Sequence, residues 1–343
     1  MKLASFRSSA ASPVRVGALV TIDAADYLAD LTLAYADYLA AVEHEPFAHD
    51  LAAVRLPSAT LSLLQGGERS LDAAARTVDY VRQATAGAAG LARFTAAGIL
   101  HRTAAVRYLP PVPRPGKVIS VGANYAAHVA EVTSAGVLPR PAYPVAFAKF
   151  PSVLVGHDEP IIHSRHTAQL DYEVELCLVI GRRCKDVPAE RYRDVIAGYS
   201  IFNDISMRDI QFSEMKGGLL CMGKNLDTAG PIGPYLVTAD EIPDPQNLQL
   251  SLRVNGELRQ NENTRNMVFS LAEIIAYWSR LTLEPGDVIT TGSPAGVAIF
   301  RDDPAPYLLK PGDLVEAEIE RLGVLRNKVL SEQEYERWIE RGQ

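Results

Sequence analysis

Leu170-Asp171-Tyr172-Glu173-Val174-Glu175-Leu176 alternates acid with apolar residue, and Cys177-Leu178-Val179-Ile180 continues it as an unbroken apolar run. Period-two alternation is a strand signature, so a strand over 172–180 is predicted, with Asp171, Glu173 and Glu175 facing one side. The apolar continuation implies burial on both faces further along. One reading of the acids is a half-solvated strand with its polar side in water. The other is a cation site: no Lys or Thr interrupts the acids, so they repel one another unless something positive sits among them. Buried carboxylates must protonate or bind a cation. Oxygen-only ligands suit Mg²⁺ or Mn²⁺ better than zinc. Asp204, at the junction after Tyr199-Ser200-Ile201-Phe202, is placed to complete such a set. Chemistry alone leaves both readings open.

Short apolar runs at 118–121, 248–254, 288–291 and 314–319 are further strands. The last two follow Pro-Gly-Asp turns at 285–287 and 311–313. Many short strands with few helices predict an α+β, mainly β fold, a mixed β-roll or barrel, not alternating βαβ units. Leu109-Pro110-Pro111-Val112-Pro113-Arg114-Pro115-Gly116 is too proline-dense for a helix or a central strand. It reads as an extended linker, dividing a smaller N-terminal α+β domain (1–111) from a second domain (112–343). In the first domain Val16 to Val20 reads as a strand, and Leu28, Leu31, Tyr35 and Leu39 recur at helical spacing. A second helix is capped by Ser70, carries Asp72 in its first turn and has Leu71, Ala74, Ala75, Val78 and Val81 on one face. The Ala-rich stretch 84–97 reads as surface or packing filler.

The 343 residues are 48% hydrophobic and 22% charged, which permits a sizeable core. Lys plus Arg number 34 against 41 Asp plus Glu, a net charge of −7. That argues against a nucleic-acid or anionic-membrane partner, either of which would want a basic face. Cys177, Cys184 and Cys221 form neither a CxxC pair nor an even disulfide framework, which fits a reducing compartment. The start, Met1 to Arg7, lacks a signal-peptide apolar stretch, and no apolar run is long enough to span a bilayer. The expectation is a cytoplasmic protein.

His128 and Glu131, in Gly122-Ala123-Asn124-Tyr125-Ala126-Ala127-His128-Val129-Ala130-Glu131, lie three apart and share a face on a helical turn. A carboxylate on one imidazole nitrogen leaves the other as a base for water. Taken by itself the pair reads better as an incidental surface contact.

Together these segments resemble the fumarylacetoacetate hydrolase family, in its acylpyruvate hydrolase and hydroxymuconate isomerase-like branch. The resemblance covers roughly residues 112 to 330. It runs through 122–131, Asp-Tyr-Glu-Val-Glu-Leu (171–176) and Asn-Asp-Ile-Ser-Met-Arg-Asp-Ile-Gln (203–211). Gly-Lys-Asn-Leu-Asp-Thr (223–228), Gly-Pro-Tyr (233–235) and Thr-Gly-Ser-Pro-Ala-Gly-Val (291–297) follow. Each piece is weak alone; the ordered set is specific. The resemblance implies a Mg²⁺ or Mn²⁺ ion held by Glu173, Glu175 and Asp204, with Asp171 in support, and a homodimer. It casts His128 and Glu131 as a water-activating dyad on a segment that orders over substrate. Lys224, Arg208 and Gln211 would face substrate oxygens, and the Thr291, Gly292 and Ser293 turn would hold a substrate carboxylate. Lys149 matches a family lysine, with a structural role as its alternative.

The reaction implied is hydrolysis of a C–C bond in a small 2-oxo acid, a 2,4-dioxo acid of acylpyruvate or fumarylpyruvate type, giving pyruvate and a carboxylic acid. The metal would chelate the 2-oxo acid and stabilise the enolate. The same motifs serve a decarboxylase or an isomerase of a muconate-type diacid in aromatic catabolism. A non-catalytic binding homologue is the third reading. The chain departs from the family's usual pattern at Gly218-Leu219-Leu220-Cys221-Met222, where an aromatic is common, at Asn225-Leu226 and at Ala229. These positions bear on the pocket wall and thus on substrate identity.

Overall fold

The computed structural model describes residues 1–137 and 141–340. Its frame is a 12-stranded sheet and a five-stranded sheet, with a two-stranded ribbon between chain segments that reach the acidic stretch. Helices pack on these sheets, and among the described residues neither large sheet closes into a barrel.

The middle of the large sheet explains the apolar run. Val174–Ile180 pairs antiparallel with Ile196–Asn203 on one side and Val288–Thr290 on the other. Every residue of Val174–Ile180 and of Ile196–Asn203 is buried. Beyond Val288–Thr290 lie Val118–Val121, paired in parallel, and then Ala146–Lys149 at the edge. In the other direction Gly230–Thr238 follows, then Lys2–Arg7, Arg15–Ile22 and Ala25–Asp30. The sheet thus runs without interruption from the N-terminal strands into those that carry the acids. The proline-rich segment lies against it: Val112 is fully buried, and the Ser5 hydroxyl donates to the Pro111 carbonyl at 3.0 Å.

The five-stranded sheet takes Glu257–Asn263, Gln249–Val254, Leu314–Ile319, Gly323–Ser331 and Ile161–His163 in that order. Gly286 and Gly312, at the two Pro-Gly-Asp turns, have φ of 86° and 100°, a backbone that L side chains rarely adopt.

Several local expectations are corrected. The strand over 172–180 begins only at Val174, because Leu170–Asp171 forms its own ribbon with Ser206–Met207 and Tyr172 and Glu173 lie between the two strands. Asp171 therefore does not share a strand face with Glu173 and Glu175. Leu28 belongs to the strand Ala25–Asp30; the helix is Leu31–Ala41, started by Asp30, whose carboxylate accepts the Leu33 N–H at 3.0 Å. The next long helix is Gly67–Ala84, so Ser70 sits inside it and bonds the Arg55 carbonyl at 2.8 Å instead of capping. The Ala-rich stretch holds a helix, Ala88–Ala96, whose Phe94 is fully buried. The N-terminal half is thus more helical than its composition announced. No helix among the described residues is long and apolar enough to cross a membrane.

Candidate metal and active site

Backbone pairing brings the acids together. Val174 stands opposite Asn203 and Glu175 opposite Phe202, and the Asp204 N–H donates to the Glu173 carbonyl at 2.8 Å. The Asn203 side chain accepts the Glu173 N–H at 2.9 Å, where the strand pairing ends. One oxygen from each of Glu173, Glu175 and Asp204 lies within 4.8 Å of the others, and all three residues are buried.

Three cations face this cluster. Lys224 Nζ is 2.7 Å from Glu173 Oε2, 2.7 Å from Asp204 Oδ2 and 2.6 Å from the Ser206 hydroxyl. Lys149 Nζ lies 2.5 Å from Asp204 Oδ1. Arg208 reaches Glu173 Oε1 with one terminal nitrogen at 2.7 Å and Asp171 Oδ2 with Nε at 2.8 Å. Its other terminal nitrogen donates to Gln211 Oε1 at 3.0 Å. Arg208 and Lys224 both line the cavity, and both are bonded to carboxylates at its floor. Asp171 uses its remaining capacity to accept the N–H of Ala298 at 2.9 Å and of Ile299 at 3.2 Å.

Burial opposes ionisation of Glu173, yet the Arg208 and Lys224 charges outweigh it and hold this carboxyl well below the usual range. Glu175 is the opposite case. Burial, then the charges of Asp204 and Glu173, push it well above the usual value. Among the described residues it makes no ion pair; one oxygen accepts the Gly292 N–H at 2.9 Å. Burial also lowers the Lys149 ammonium, against the pull of Asp204. Four carboxylates thus face three fixed cations, and the carboxylate without a positive partner stands in the oxygen triad. A divalent cation fits that donor set.

His128 and Glu131 come from the helix Ala126–Ser134. His128 Nδ1 lies 2.9 Å from Glu131 Oε2, and Glu131 Oε1 accepts the Gly296 N–H at 3.2 Å. The Phe300 ring packs 5.8 Å from the imidazole, centroid to centroid. In the 291–296 turn the Thr291 hydroxyl donates to the Leu176 carbonyl at 3.0 Å, and Gly292 is spent on Glu175. Of this turn's expected substrate contacts, Ser293 lines the cavity. A Cβ at Gly292 would come within 2.8 Å of the Asn124 side chain, and its φ is 90°.

A cavity of about 530 Å³ opens over these groups, with His128, Glu173, Glu175, Asp204, Arg208, Gln211, Lys224 and Ser293 on its wall. Sequence reasoning missed Gln260. Its amide donates to the Ser293 hydroxyl at 2.9 Å and the Pro294 carbonyl at 2.8 Å, and its oxygen accepts the Val174 N–H at 2.9 Å. Nothing in the polar run Glu257–Asn263 marked it. Ser206 was likewise visible only through its contact with Lys224, and the resemblance that marks Lys149 does not show its partner Asp204.

The pattern of the fumarylacetoacetate (FAA) hydrolase C-terminal domain matches residues 117–330. A mitochondrial oxaloacetate tautomerase of Bos taurus is 42% identical over 276 residues, 80% of this chain and 81% of that one. Among solved structures, 5-carboxymethyl-2-hydroxymuconate delta-isomerase from Mycobacterium smegmatis aligns at a TM-score of 0.66 and 28% identity, covering 97% of this chain and 100% of that chain. Maleylpyruvate hydrolase from Sphingobium sp. SYK-6 aligns at 0.63 and 28%, covering 96% and 100%.

Proposed function

The chain belongs to the fumarylacetoacetate hydrolase family, whose members are enzymes, and on that premise we propose that it hydrolyses a C–C bond in a 2,4-dioxo acid. The observation that carries this reading is the His128–Glu131 contact of 2.9 Å at the wall of a cavity floored by the acids. Glu173, Glu175 and Asp204 would hold Mg²⁺ or Mn²⁺. When bound, the ion supplies Lewis-acid polarisation of the substrate's carboxylate and 2-oxo oxygens.

The protein's own residues do the rest. Glu131, held by Gly296, accepts a hydrogen bond from the Nδ1–H of His128 and so leaves Nε2 with its lone pair for a water proton. The activated water attacks the 4-carbonyl carbon. The C3–C4 bond then breaks with its electron pair passing to C3, where the proton held by His128 is returned. Gln211 gives its oxygen to Arg208, which leaves its NH₂ as a donor on the cavity wall for the oxyanion at C4. The Ser293 hydroxyl, set by Gln260, serves the substrate carboxylate. Arg208, Lys224 and Lys149 neutralise the carboxylates, and Thr291 and Gly292 position Leu176 and Glu175.

A second reading is keto–enol tautomerisation, in which His128 moves a proton at C3 and no water attacks. The 42% identity to an oxaloacetate tautomerase favours it. Product analysis separates the two. Acetylpyruvate, fumarylpyruvate and oxaloacetate are each incubated with the protein, with and without Mg²⁺, and pyruvate and the partner acid are quantified. Equal amounts of both, only with metal, support hydrolysis; enol–keto interconversion without cleavage supports the second reading and rejects the first.

A further inference from the structure

The cavity changes character from floor to mouth, and one helix shows it. Arg208–Lys216 presents Arg208, Gln211, Phe212 and Met215 to the cavity, the i, i+3, i+4, i+7 spacing of a single helical face. Its buried end is polar and tied to the acids; its outer end is apolar. At 1.5 Å per residue this face extends about 10 Å from the acidic floor. Past the helix, Leu219 and Leu220 continue the wall, and Leu219 is 77% exposed. Val132, on the helix that carries His128, and Phe300 complete it from the other side.

Among the described residues the wall is short of positive charge. Among the described residues that line the cavity, only Arg208 and Lys224 carry a fixed positive charge. Both sit at the floor, bonded to Asp171, Glu173 and Asp204. A substrate with a carboxylate at each end would place its second charge against Phe212, Met215 and the two leucines, losing hydration with no counter-charge. A four-carbon diacid would leave this part of the cavity unfilled.

We infer that the outer half of the cavity is an acyl-tail subsite, and that the substrate is a 2-oxo acid ending in an apolar alkyl or aryl group instead of a second carboxylate. This rests on the reading of the floor as a 2-oxo acid site. It assigns Phe212, Met215, Leu219 and Leu220 as specificity-determining residues, the last two lying in the segment that departs from the family's usual sequence.

Binding measured by calorimetry tests it without requiring turnover. The protein with Mg²⁺ is titrated with 2-oxobutyrate, 2-oxohexanoate and 2-oxooctanoate, and with 2-oxoglutarate and 2-oxosuberate. Affinity should rise about threefold to fourfold for each added methylene buried, and the long monoacid should bind at least tenfold tighter than the diacid of equal length. Met215→Ala should flatten this dependence. A flat response to chain length, tighter binding of the diacids, or an unchanged slope in M215A would overturn the subsite. Chain-length-dependent binding with no cleavage of any acylpyruvate would sustain the subsite while rejecting hydrolysis. Failure of all these acids to bind would reject the 2-oxo acid reading and the subsite with it.

Discussion

Glu131 Oε1 accepts a hydrogen bond from the backbone N–H of Gly296 at 3.2 Å, although the two residues lie 165 positions apart. The contact joins the helix that carries His128 to the turn that supplies Ser293 and the N–H held by Glu175. Glu131, which contacts the His128 imidazole, is thus held from two sides, by its own helix and by this loop.

His128→Ala should therefore remove the base and keep the metal site. The expected loss in kcat is about 10²- to 10⁴-fold, the usual share of a positioned general base. Glu131→Gln should cost less, because the amide still meets Gly296 but no longer holds the imidazole tautomer. Steady-state kinetics beside a Mn²⁺ titration check both; retained hydrolysis in H128A would reject the assignment.

Glu175 is buried beside two other carboxylates and lacks an ion pair among the described residues, so ionising it costs stability unless a cation is present. The sign follows. A carboxyl whose folded pKa is raised destabilises the folded state as pH rises above its ordinary value. Glu175→Gln should hold or raise the melting temperature of the metal-free protein at neutral pH and abolish the stabilisation by Mn²⁺. For the wild type that stabilisation is about 2.7 kcal/mol at a metal concentration a hundredfold above Kd. Thermal melts with and without Mn²⁺ read both effects.

Lys149 pairs with Asp204 in a site where neither side chain reaches solvent. Lys149→Met leaves Asp204 with only Lys224 as a cationic partner, and breaking such a pair costs about 3 kcal/mol. Urea unfolding should show that loss; a neutral substitution would mean that Lys224 suffices.

In the N-terminal helices Arg93 grips both carboxylate oxygens of Asp37, at 2.8 and 3.0 Å. Burial works against the ionised form, yet the hydrogen bonds from Arg93 and Tyr80 hold Asp37 below its ordinary value of 3.8. A depressed carboxyl stabilises the fold above its unfolded pKa, and the contribution fades as pH falls through the folded one. Arg93→Met should lower the melting temperature at neutral pH and approach the wild type only as pH falls below 3.8, through the depressed pKa of Asp37. A pH series of thermal melts tests this.

The strands that build the site were legible because their signal is local. The ranges 118–121 and 314–319 match the strands Val118–Val121 and Leu314–Ile319, and 288–291 overruns Val288–Thr290 by one residue. Period-two alternation fails at Tyr172 and Glu173, where pairing partners 30 residues away decide the backbone. Charge repulsion along the strand and the strand–loop junction made the convergence of Glu173, Glu175 and Asp204 one of two open readings, and the family resemblance decided for it. What each cation contacts was not readable, since Arg208, Lys224 and Lys149 reach the acids across long sequence separations. Gln260 gave no sequence signal, because a buried glutamine is ordinary until its neighbours are known; Leu219 and Leu220 stood out as a departure from the family pattern, but Phe212 and Met215 beside them did not.

The most direct test of the central claim is oxygen-isotope labelling of the cleaved acid. An acylpyruvate is turned over with Mg²⁺ in water enriched in oxygen-18, quenched early and examined by mass spectrometry. Attack by water activated at His128 predicts at least one heavy oxygen in the released carboxylic acid above an enzyme-free control, and none released by H128A. Intact substrate whose C3 has merely exchanged protons with solvent would contradict the account.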